Sequence, residues 1–139
     1  MGVRRKAREC ALKLLYQKEI TQYDAPFILK EFWLLEKSSL EVKNFAEELF
    51  QQTVEHIEEI DALIKHCALN WDMERISSVD KNVLRIALFE MLYKDEIPVI
   101  VSINEAIDIA KRYSTNDSGK FVNGILDKAK KIIEKQSKH

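Results

Sequence analysis

Apolar residues recur three and four positions apart through most of this chain, and little interrupts them. The clearest run is Val122, Ile125, Leu126, Ala129, Ile132 and Ile133. That spacing lays one apolar stripe along a helix and does not fit the two-residue alternation of a strand. Among 139 residues there are 3 glycines and 2 prolines, Pro26 and Pro98, so few turns are marked. Val99-Ile-Val101 is the only β-branched run, and it lies between Pro98 and a helix start. The chain is therefore expected to be all-α, one domain or two small subdomains, with 46% apolar residues to fill a core.

About six helices can be placed. The first runs from Val3 to Ile20, with Val3, Ala7, Cys10, Ala11 and Leu14 on one face. Pro26 suits the first turn of a second helix ending near Lys37, because its missing N–H costs nothing there. Ser38-Ser39 opens a long third helix to about Leu69, whose stripe loosens around Gln52-Thr53 and leaves room for a break. A connection from Asn70 to Ser78 carries Trp71. Ser77-Ser-Val-Asp80 and Ser102-Ile-Asn-Glu105 have capping-box spacing and are expected to open the next two helices. Thr115-Asn-Asp117 is the turn before the last helix, and Asp117 has two readings, helix cap or acceptor for a base edge. The expected division is an N-terminal helical subdomain over about 3–70 and a C-terminal one over about 71–136.

The formal net charge of −1 conceals an asymmetry. Arg4, Arg5, Lys6 and Arg8 crowd the first eight residues with no acid. The last twenty hold six lysines against Asp127 and Glu134. Between them lie 12 bases and 21 acids. Cations at a helix N-terminus oppose the macrodipole, so the first cluster costs stability and points to a polyanionic ligand. In helical projection Arg4, Arg5 and Arg8 fall together, away from the apolar stripe. Arginine suits such a role because its planar fork pairs with phosphate and stacks on bases.

Asp117-Ser-Gly-Lys-Phe121 sets a cation and a phenyl ring at the positive end of a helix. Lys120 can hold a phosphate there and Phe121 can stack a base, which contributes ~1–3 kcal/mol. Phe121 as plain core is the competing reading, since Ile125 one turn on is apolar. The two basic elements, from opposite ends of the chain, together point to RNA or DNA binding.

Other chemistry finds no support. His56 and His66 are ten apart, and His66 and Cys67 are adjacent and diverge on one helix, so no metal is expected. Glu47-Glu48 and Glu58-Glu59 read as solvated helix faces, and no nucleophile elbow, P-loop or dinucleotide fingerprint occurs. No cofactor and no catalysis are expected. Cys10 and Cys67 fall on apolar faces and should be buried free thiols. With no signal peptide and no membrane-length apolar run, a cytoplasmic protein is expected.

Five separated segments, in order, resemble the NusB family of bacterial transcription antitermination factors. They are Arg4-Arg-Lys-Ala-Arg-Glu-Cys-Ala11 with Leu15-Tyr16, Val83-Leu-Arg-Ile-Ala-Leu-Phe-Glu-Met91, Pro98, Ile103-Asn-Glu-Ala-Ile-Asp-Ile-Ala-Lys111, and Lys120-Phe-Val-Asn-Gly-Ile-Leu-Asp-Lys128. The resemblance spans about Arg4 to Lys131 and is thinnest over 22–70. It implies a NusB-like fold of two packed helical bundles with six to seven helices. It implies binding of the boxA element of nascent ribosomal RNA transcripts together with NusE, a ribosomal small-subunit protein. Other Nus factors and RNA polymerase join indirectly. RNA-contacting residues carried over are Arg4, Arg5, Lys6, Arg8, Asp117, Ser118, Lys120 and Phe121. The NusE-facing surface carries over to Tyr16, Glu74 and Asp80, and the acidic middle of the chain suits a basic partner. An aromatic position near the end of the third helix holds Cys67 here, and Gly119 stands at a variable position. The resemblance leaves monomer and homodimer both open. A module of an rRNA cytosine methyltransferase is the alternative, against which 139 residues leave no room for a methyl-transfer domain. A purely protein-binding adaptor is a third.

Overall fold

A computed structural model describes residues 2–137. Seven α-helices and one 3-10 turn make up its secondary structure, with no strand among the described residues. The helices form two compact units, one up to Glu55 and the other from His56 onward.

The first unit holds α1 (Val3–Thr21), α2 (Ala25–Leu35) and α3 (Leu40–Glu55). α1 packs chiefly on α3 and secondarily on α2. Ala7, Cys10, Ala11 and Leu14 are buried as their 3/4 spacing predicts, and Val42, Ala46, Leu49 and Phe50 are buried on α3. Full burial of a side chain such as Leu14 or Phe50 contributes about 1.5–3 kcal/mol. Pro26 stands in the first turn of α2, as expected. α1 ends at Gln22, whose φ of 61° lies in the left-handed region while its N–H bonds the Lys18 carbonyl at 3.0 Å.

The second unit holds α4 (Ile57–Cys67), a 3-10 turn (Met73–Arg75), α5 (Ser78–Tyr93), α6 (Val99–Tyr113) and α7 (Asn116–Ser137). α5 is its centre and packs on α4, α6 and α7. Residues 82–91 are buried all round, as befits a helix with partners on every side. Arg85 survives this burial because Asp61 on α4 accepts from its Nε and Nη2 at 2.8 Å each, and Asn82 accepts from Nη1 at 2.9 Å. On α6, Ser102 donates to buried Glu90 of α5 at 2.7 Å.

Three expectations are corrected. The break in the long third helix falls at His56, a little after Gln52-Thr53, and α4 packs with α5 and α7. The division is therefore at Glu55/His56 and not near residue 70. Ser102 is not a cap: α6 begins at Val99 behind Pro98, so the S-x-x-E spacing lies inside a helix, where i,i+3 neighbours recur anyway. The β-branched run Val99-Ile-Val101 is helical for the same reason.

Candidate nucleic-acid interface

In the first unit the arginines do not all lie on solvent. Arg4 is exposed, Arg5 and Lys6 are half-buried, and Arg8 is only 3% exposed. Both Arg4 and Arg8 lie beside Phe45 of α3. The Arg4 guanidinium carbon stands 4.9 Å from its ring centroid and that of Arg8 stands 5.9 Å away. A desolvated cation over a ring face is worth up to about 2 kcal/mol, so the ring adds to what holds buried Arg8 in place. Projection of α1 alone put Arg8 on solvent, and the contact with α3 overrides it. Tyr16, one turn past Leu12 on α1, is 44% exposed.

In the second unit a cleft of about 330 Å³ is lined by Trp71, Arg75, Ile76, Ser77, Asp80, Asp117, Ser118 and Phe121. Two helix entrances bound it. Ser77 caps α5, its hydroxyl accepting from the Asp80 N–H at 3.2 Å, as the capping-box spacing predicts. Thr115 caps α7, its hydroxyl accepting from the Ser118 N–H at 3.2 Å. Asp117 is therefore not the cap. It lies in the exposed first turn of α7, where its charge favours the positive helix end. Each cap satisfies one amide only, and two positive helix ends meeting at one cleft favour an anion there.

Phe121 is not plain core. Its ring is half-buried, lines the cleft, and meets Trp71 edge to face with centroids 5.5 Å apart. Trp71 is 50% exposed and follows the end of α4, its N–H bonding the Ala68 carbonyl at 3.0 Å. Trp71 and Arg75 were not among the residues expected at the site. The visible signal was a tryptophan in a polar connection, which a packed loop rarely needs.

Ser118 is buried at the cleft, its hydroxyl within hydrogen-bond distance of that of Ser114 at 2.8 Å. Lys120 points to solvent. Gly119 has a role the sequence did not disclose: a Cβ there would stand 2.8 Å from Cε of Lys111, so the bare backbone lets that lysine's chain lie across the entrance of α7. Asp80, expected on a partner-facing surface, is only 8% exposed and lines the cleft. Burial pushes its carboxyl above the usual aspartate range, opposed by hydrogen bonds from Ser118 and Ser77. Glu74, in the 3-10 turn, is exposed. The two thiols are buried and free, and burial raises both.

The sequence profile described as NusB family matches residues 5–131. The chain belongs to the NusB family. It is 41% identical to the transcription antitermination protein NusB of Thermodesulfovibrio yellowstonii, over 92% of this chain and 91% of that protein. It is 44% identical to that of Trichlorobacter lovleyi, over 91% and 89%. In three dimensions it matches T. maritima NusB with a TM-score of 0.84 at 41% identity, over 94% of this chain and 92% of the other. A crystal structure of the antitermination factors NusB and NusE in complex with double-stranded RNA contains a chain matched with a TM-score of 0.86 at 27% identity, over 95% and 98%. The all-helical NusB fold expected from the sequence is thus the fold found.

Proposed function

We propose that this NusB-family chain is a transcription antitermination factor that binds boxA-type RNA and pairs with NusE. The observation that carries the reading is the second-unit cleft, where half-exposed Phe121 and Trp71 flank two helix entrances. Stacking platforms beside amide ends and the cations Arg75, Lys120 and Lys111 suit a base with its phosphate. On the first unit, Arg4, Arg5 and Lys6 add phosphate contacts, while Arg8 supports the fold beneath them. Exposed Tyr16 and Glu74 serve the NusE contact. The chain works by binding, without catalysis, in the cytoplasm beside the transcription machinery.

Fluorescence anisotropy tests this with boxA-like and scrambled RNA, single- and double-stranded, with and without NusE, over a salt series. The reading requires tighter binding of boxA-like RNA than scrambled, strengthened by NusE. Equal affinity for both sequences, with or without NusE, would leave only charge-driven binding and sink it.

A further inference from the structure

We propose that the cleft of the second unit is a single-nucleobase pocket that selects guanine, with Asp80 as the residue that reads the base. This rests on the RNA-binding reading above and adds a base identity to it. The cleft volume of about 330 Å³ suits one base and part of its sugar, not a longer segment. Phe121 and Trp71 supply apolar walls at one side. Arg75 and the entrances of α5 and α7 take the attached phosphate.

Asp80 sets the chemistry of the deep side. The residue is more than nine-tenths buried; Ser118 and Ser77 hydrogen-bond its carboxyl, yet its Oδ1, shielded from solvent, has no hydrogen-bond partner among the described residues. A desolvated acceptor in that state is costly, and a ligand N–H relieves the cost. An ionised carboxylate only accepts, so it discriminates by the donors a base presents. The Watson–Crick edge of guanine carries two adjacent N–H donors, which meet a carboxylate in the parallel fork that makes guanidinium–carboxylate pairs strong. Adenine and cytosine present one amino group beside a ring acceptor. Uracil presents one N–H between two carbonyls. In each of these a lone pair faces the carboxylate. Asp117 also lines the cleft, but it is exposed and already hydrated, so exchanging water for a base gains it little.

The test uses the whole chain and labelled nine-nucleotide oligouridines at low salt, with one central residue changed to guanosine, inosine, adenosine or cytidine. The guanosine oligonucleotide should bind roughly tenfold or more tightly than oligouridine, as one good bidentate base contact supplies. Inosine, lacking the 2-amino donor, should lose most of that gain. Asp80→Asn should abolish the guanosine preference, with circular dichroism confirming the fold. Binding without base preference, a preference for another base, or a guanosine preference that persists in Asp80→Asn overturns guanine selection and leaves RNA binding standing. No binding of any oligonucleotide overturns the RNA-binding reading and this inference with it. The guanosine–inosine comparison needs no variant, so a folding defect in Asp80→Asn does not shelter the claim.

Discussion

The rings of Trp71 and Phe121 meet edge to face at 5.5 Å between centroids, at a 69° interplanar angle. The contact joins the connection after α4 to the entrance of α7 and leaves both rings partly open to solvent. An edge-to-face pair is worth about 0.5–1.5 kcal/mol beyond area burial, enough to fix the ring planes without sealing them. Fixed, half-open aromatic surfaces are the preorganised form that base stacking needs.

Arg4 and Arg8 share Phe45 yet should behave differently. Arg4→Ala removes an exposed cation and should reduce the salt slope of RNA binding by about one unit. Arg8→Ala removes a buried guanidinium and should lower stability by about 1–2 kcal/mol while the slope changes less. Anisotropy across a salt series and urea titration separate the two effects. A larger slope change in Arg8→Ala than in Arg4→Ala would refute the assignment.

The Arg85–Asp61 fork should be a main tie between α4 and α5. Arg85→Ala strands Asp61 and the side-chain Oδ1 of Asn82, and should cost about 3 kcal/mol, the low end for breaking a buried pair because Asp61 is partly exposed. Chemical denaturation measures it, and a loss below about 1 kcal/mol would show that the pair does not hold the helices.

The glycines of α7 make a contrasting pair. Gly124 lies exposed inside the helix, and a Cβ there would meet nothing within 4 Å, so Gly124→Ala should stabilise by about 0.5–1 kcal/mol. Gly119→Ala should gain less, because its Cβ displaces the Lys111 chain. Thermal unfolding of the two variants checks the order.

Asp80 gives stability a pH dependence of known sign. Its carboxyl is raised by burial, so between its unfolded and folded pKa values the native state binds more protons. Stability therefore falls as pH rises through that window, which starts near the ordinary value of about 3.9 and extends upward. Asp80→Asn removes the term, so its stability relative to the parent should be greater at pH 7 than at about pH 3.5. Urea titrations at both values measure this, and a difference that shrinks as pH rises would contradict it.

Much of this was legible in the chain because it is written locally. The 3/4 stripes of α1, α5 and α7 predict their buried faces, and Ser77 caps α5 as its spacing implies. What sequence missed depends on neighbours from elsewhere in the fold. Arg8 looked exposed, yet in the fold it is buried with Phe45 of α3 beside it. Asp80 looked like a surface acid until α7 closed over it through Ser118. Asp117 had two readings, cap or acceptor for a base edge, and Thr115 two residues earlier takes the Ser118 N–H that a cap would hold. Trp71 was visible but unplaced, because nothing local ties it to a residue fifty positions on.

The central claim is that Phe121 and Trp71 form an RNA-stacking platform. Anisotropy of a boxA-like RNA with the NusE-bound chain, comparing the parent with Phe121→Ala, tests it most directly. Loss of one stacked base should weaken binding by ~1–3 kcal/mol, roughly five- to 150-fold, with helix content retained. Equal RNA affinity in parent and variant would contradict the account.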